Sequence, residues 1–193
     1  MHPRISRRLA GVVSGATLLV AVAVPASAHV FVSDGTTVTG GGYGTEFALM
    51  VPHGCEGAAT TALEVQIPAG VTSVKPALMP GWQIDVVSTT PPAPSLDPAA
   101  SPLTDEELDA LTAPVVTSVK WSGGELPDSQ YAKFWLRAIF PETPGTVMFP
   151  TVQYCGDSQV AWIEIPAEGQ DPETLEHPAP TVTVVAPEAT TAP

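Results

Sequence analysis

The sequence predicts an all-β fold, an antiparallel β-sandwich with one short helix in an inserted loop, on three observations. Short stretches alternate apolar and polar residues with period two, glycine and proline punctuate them at close intervals, and helical periodicity is nearly absent. The alternation is plainest where Leu63, Val65 and Ile67 oppose Glu64 and Gln66. A second apolar set is formed by Phe134, Leu136, Ala138 and Phe140. Such patterns bury one face of a strand and leave the other to water.

In chain order, strands are expected over residues 45–51, 60–67, 71–76, 82–88, 114–121, 131–140, 145–149, 151–155 and 159–165. The glycine-rich "TGGGYGT" at 39–45 leads into the first of these and reads as a turn. Residues 89–113 form a Pro/Ala/Ser-rich excursion, read as an insertion between two strands. It holds the one expected helix. Thr104 and Glu107 have capping-box spacing, Asp105 and Glu106 suit the positive end of a helix dipole, and Leu108 and Leu111 supply an apolar stripe. Beyond Pro166 the chain turns acidic and proline-rich; "PTVTVV" at 180–185 predicts an edge strand, and 187–193 a disordered tail. No repeat of solenoid length is visible.

Ahead of all this stands a leader. Arg4, Arg7 and Arg8 precede an apolar run from Leu9 to Val24, then Pro25 and the small tripeptide Ala26-Ser27-Ala28. That order is the anatomy of a secretory signal peptide over 1–28, and the run is too short and too interrupted by glycine and serine for a membrane span. Arg7-Arg8 is also compatible with twin-arginine export, for which a bare pair is a weak signal. Cleavage leaves 165 residues beginning at His29, enough for one domain, expected over 29–186. With no later apolar span to anchor it, the expected location is secreted or extracytoplasmic, in the cell envelope.

The whole chain has 7 basic and 20 acidic residues, a formal net charge of −13. Three of the basic residues leave with the leader, so four remain against 20 acids, giving −16. Such a surface repels nucleic acid and anionic lipid and suits cations, metal ions included; solubility outside a cell accounts for most of it. The two cysteines, Cys55 and Cys155, most simply form one disulfide in an oxidising compartment. A thiolate metal site would need nearby companions, and there are none.

A histidine at the first position of a mature chain differs chemically from any other. Its α-amine and ring Nδ1 can close a six-membered chelate on one metal ion, and the amine, titrating at about 8, releases its proton readily. Nitrogen donors in a near-planar set suit Cu(II), which tops the divalent affinity series. Two readings of His29 therefore stand: a chelating terminus, or a solvated residue that merely follows the cut. His53, in "VPHGCEG" beside Cys55, is a candidate supporting ligand or a plain turn residue. His177, in "LEHPAP", reads as surface.

Trp82, Trp121 and Trp135 read as core or half-core. Trp162 differs, because alternation in "QVAWIEIP" puts it on one face with Glu164, and Ala161, Ile163 and Ile165 on the other. An aromatic beside a carboxylate can wall a metal site; an exposed strand acid is the plainer reading of Glu164. No catalytic constellation stands out: there is no G-x-S-x-G elbow, no H-E-x-x-H and no phosphate loop between strand and helix.

Taken together, "ASA" before "HV", "VPHGCEGAATTALEVQIPAGV", "MPGWQIDV", "VKWSGGELPD" and "FPTVQYCGDSQVAWIEIPAEG" resemble the YcnI-like family of secreted bacterial copper-binding domains. The resemblance implies a compact β-sandwich that binds Cu(II) through an N-terminal histidine brace, with a tryptophan near the metal and a carboxylate completing the site. It puts His29 in the brace and Trp162 in the role of the tryptophan. The carboxylate has no clean counterpart, which leaves Asp34, Asp128, Glu164 and His53 as candidates for the third ligand. "PHGC" with the distant "QYC" marks a disulfide-bearing subgroup within that resemblance.

The function so implied is non-enzymatic: copper homeostasis, storage or delivery, with a copper chaperone or a membrane copper transporter as partner. A rival is a copper oxygenase acting on an extended substrate, with His53 as its second histidine. A third reading is a metal-free module for interactions in the cell envelope.

Overall fold

The computed structural model describes residues 29–92 and 103–187. The expected leader, residues 93–102 of the insertion and the tail from 188 lie outside the described residues, as does the Glu107 side chain of the expected capping box. Among the described residues twelve strands and one α-helix follow in order: β1 Phe31–Asp34, β2 Thr37–Thr39, β3 Thr45–Val51, β4 Thr60–Gln66, β5 Thr72–Pro76, β6 Gln83–Thr89, α1 Asp105–Thr112, β7 Val115–Leu126, β8 Ala132–Ile139, β9 Gly145–Met148, β10 Thr151–Cys155, β11 Ser158–Trp162 and β12 Thr181–Val185. A 3-10 turn at Pro172–Thr174 precedes β12.

The strands form a four-stranded sheet in the order β1-β3-β8-β5, a five-stranded sheet in the order β11-β10-β4-β7-β6, and a three-stranded sheet in the order β2-β12-β9. The two larger sheets supply the sandwich. Alternate residues of each strand turn inward and are buried: Phe47 and Leu49 of β3, Phe134 and Leu136 of β8, Leu63 and Val65 of β4, and Val119 and Trp121 of β7. Trp121 meets Phe134 edge-on at 5.4 Å between ring centroids, so the two layers touch through aromatic edges. Each such fully buried side chain contributes about 1.5–3 kcal/mol of burial free energy. The third sheet closes one end with Val182 and Val184, beside the cluster of Phe47, Phe140 and Phe149.

Several expectations need correction. The 180–185 segment is not an edge: β12 is the middle of its sheet, antiparallel to β9 and parallel to β2, and alternates exposed threonine and valine with buried valine. Strands β1 and β2, ahead of the glycine-rich turn, are additions to the expected strands. The 114–121 strand runs on to Leu126 through Gly123 and Gly124. The last expected strand, 159–165, stops at Trp162; Glu164 instead makes an isolated parallel bridge with Pro178. Trp135 is not core but 36% exposed on the outer face of β8, with the Lys133 ammonium 5.9 Å from its ring. Helix α1 does sit in the connection between β6 and β7, strands that pair directly with each other.

Candidate metal centre

One end of the sandwich gathers the residues of interest. In the β1–β3 pairing Phe31 faces Met50, so the register continued backwards carries His29 past the end of β3, level with Pro52 and next to His53. Val30 is buried at 1% exposure and holds this end of β1 against the core, leaving His29 half-buried. Farther along β1, Asp34 bonds to the Lys133 ammonium at 2.7 Å and to the Ser33 hydroxyl at 2.7 Å. Those hydrogen bonds hold the Asp34 carboxyl below its ordinary value. They also remove it from the candidate ligands, since its charge is already committed at the far end of the strand.

The His29 ring packs edge-on against Trp162, with centroids 5.5 Å apart and planes at 64°. Trp162, at the last position of β11, is 4% exposed. Its Nε1 donates to Gln153 Oε1 at 3.1 Å. Gln153 in turn uses its Nε2 twice, donating to the His53 carbonyl at 2.9 Å and to Thr60 Oγ1 at 2.8 Å. A buried amide with both ends occupied fixes the indole and the His53 backbone in one network.

His53 itself is set by a tight loop. Cys55 and Ala58 exchange both backbone hydrogen bonds, at 3.0 and 2.8 Å, and Cys55 is disulfide-bonded to Cys155 at the end of β10. Gly54 must be glycine here, because a Cβ would stand 1.8 Å from the Ala58 carbonyl oxygen. His53 Nδ1 lies 2.6 Å from the Gly54 carbonyl and 3.6 Å from Asp128 Oδ1. A carbonyl oxygen can only accept, so Nδ1 carries the proton and Nε2 is the open nitrogen.

The sequence reading passed over His177 and named Glu164 only as a candidate ligand or an exposed strand acid. His177, taken as surface, packs against Trp162 with centroids 5.1 Å apart. Glu164, taken as an exposed strand acid, is half-buried and pins that segment: its Oε2 accepts from the His177 backbone N–H at 2.6 Å, and its own N–H donates to the His177 carbonyl at 3.0 Å. Nothing local announces this, because the contact is a bridge between distant segments. Gln153 was legible in part, since it shares strand parity with Cys155, whose disulfide points inward.

The structure thus joins His29, Trp162 and His177 directly, links His53 to Trp162 through Gln153, and brings Asp128 to His53. Among the described residues no three His, Cys, Asp or Glu side chains group closely enough to hold a metal ion by themselves. A metal at His29 would need a donor beyond the side chains, such as the α-amine that a cut ahead of that residue would free. The donor set so completed, imidazole and primary amine, is the chemistry that fits Cu(II).

Residues 29–184 match the family model described as a domain of unknown function, DUF1775. This chain belongs to the DUF1775 family. Among solved structures it is similar to an uncharacterized protein from Nocardia farcinica, whose crystal structure reveals an immunoglobulin-like fold. The two are 29% identical with a TM-score of 0.56, over 82% of this chain and 99% of that one. No protein of curated function matches the chain. The family match begins at His29, the residue that follows the expected cut.

Proposed function

We propose that this member of the family is an extracytoplasmic Cu(II)-binding protein whose processed terminus chelates the ion through the His29 α-amine and Nδ1. The observation that carries this reading is the packing of the half-buried His29 imidazole on Trp162 at 5.5 Å. A terminal residue with no role tends to fray in solvent. Here β1 delivers it to an aromatic wall whose only N–H is already donated to Gln153. The indole then turns carbon edges and face toward the ion, excluding water on that side without competing for coordination. Asp128 is the carboxylate candidate for a further donor, and solvent fills what it leaves.

The disulfide between Cys55 and Cys155 supports an oxidising compartment, in line with the leader. Among the described residues no helix is long and apolar enough to cross a membrane. We read the role as storage or delivery to a copper chaperone or membrane copper transporter. Binding is preferred over an oxygenase because His53, the second imidazole such an enzyme would add, lines a cavity with His177 rather than with His29.

The test compares Cu(II) affinity of the chain beginning at His29 with that of a chain bearing one extra residue ahead of it. Loss of an outer-shell partner alone costs about 10–100-fold in metal affinity, so conversion of the amine to an amide should cost at least about 100-fold at this site. Equal affinity for His29's site in the two chains removes the brace.

A further inference from the structure

Beyond the His29 terminus, Trp162 borders a second compartment of different make. A cavity of about 300 Å³ is lined by His53, His177, Trp162, Gln153 and Glu56, and His29 is not among its walls. Two of the three histidines of the processed chain therefore face one small space.

Their chemical states are complementary. His53 has its Nδ1–H turned to the Gly54 carbonyl, with the Asp128 carboxylate behind it, which orients the ring and leaves Nε2 as the acceptor nitrogen. A ring N–H held by a carbonyl or carboxylate is the usual support of a metal-ligating imidazole. His177 is held differently: Glu164 fixes its backbone on both sides and Trp162 fixes its ring plane. Among the described residues its ring nitrogens have no hydrogen-bond partner. A half-buried imidazole positioned by everything except its own nitrogens is one whose nitrogens are left for a ligand.

We propose that this cavity is a second transition-metal site, in which His53 Nε2 and a ring nitrogen of His177 bind a copper or zinc ion without help from the terminal amine. Imidazole nitrogen is the donor such ions take readily. Two protein donors leave coordination positions for water, for which the cavity has room. Glu56, on the tight turn beside Cys55, adds a negative wall that favours a cation. The disulfide holds that wall and His53 in register with β10, which forms the cavity floor through Gln153. One indole thus separates two ion positions, an arrangement suited to an ion that is received at one and released from the other.

The experiment uses a chain with one residue ahead of His29, so that failure of the terminal chelate and failure of this site are read apart. Cu(II) and Zn(II) are titrated separately by calorimetry, and the Cu(II) form is examined by electron paramagnetic resonance. The blocked chain is expected to take up one ion, with hyperfine structure from two imidazole nitrogens. His53→Ala and His177→Ala should each weaken uptake at least tenfold, and His29→Ala should leave it unchanged. His177→Asn, which keeps size and polarity, should fail like the alanine variant while its thermal unfolding stays that of the parent. The proposal is overturned if the blocked chain binds neither ion, if binding survives loss of both His53 and His177, or if it disappears with His29.

Discussion

Trp121 and Trp162 are both buried indoles, yet the two regions around them are held by opposite means. Trp121 lies at the centre of the sandwich, fully buried among Phe134, Leu63 and Val119, and among the described residues its Nε1–H has no hydrogen-bond partner. Trp162 lies at the end of β11, where its Nε1–H is satisfied and two imidazoles rest against its ring. An orphaned buried N–H costs about 1–3 kcal/mol, which the core tolerates because the indole fills volume that apolar packing requires. At the histidine end the Trp162 N–H, both ends of the Gln153 amide and the Glu164 carboxylate are each committed to a partner. The lesson is that polar order has been concentrated where position, rather than bulk, is needed.

The most severe way to break this contrast is at its centre. Trp121→Ala should lose about 3–5 kcal/mol of stability through the cavity it leaves, read as a shift of the urea midpoint. Trp121→Phe should lose much less, because it removes the orphaned donor along with part of the volume. Were the phenylalanine variant as damaged as the alanine one, the indole N–H would have a partner the contrast denies it.

A smaller effect is expected from Gln153→Leu. The change removes the partners of the Trp162 N–H and the His53 carbonyl in one step and leaves the Thr60 hydroxyl with the Cys155 sulfur, at about 1–3 kcal/mol for a buried group left unpaired. Amide hydrogen exchange should quicken in the Gly54–Ala58 loop and at Trp162 while β7 keeps its protection. Equal quickening in β7 would mean that the two regions are one cooperative unit.

The smallest effect concerns how β1 is tethered. Lys133 and Ser33 lower the folded-state pKa of Asp34 from 3.8, so its contribution to stability is present above that value and is lost as pH falls through the lowered one. Asp34→Asn should lower stability slightly at neutral pH, and its gap from the parent should close as pH falls below 3.8 through the lowered value. A loss that persisted undiminished in acid well below pH 3.8 would show that Asp34 acts through something other than this ion pair.

How much of this was legible beforehand differs between fold and site. Strand β3 and the cores of β4 and β8 could be read residue by residue, because an alternating strand buried on one face writes its environment into its own sequence. Strands β1 and β2 could not, since four and three residues are too short for a period to show. Strand β12 was legible as a strand and wrong as an edge, because its neighbours β2 and β9 are supplied by distant segments. At the site, the place of His29 after the small tripeptide, the parity of Trp162 and the cysteine pair were all readable. His177 was not, because its partner is reached by a bridge from Glu164 to Pro178 around an intervening 3-10 turn.

The bond between Cys55 and Cys155 closes a covalent ring with a sequence separation of 100 residues, and the whole excursion between β6 and β7 lies inside it. A protease that nicks the chain there releases no fragment, for the two pieces stay linked beside the histidine pocket. That arrangement lets the excursion vary in length or be cut while the histidine end keeps its shape.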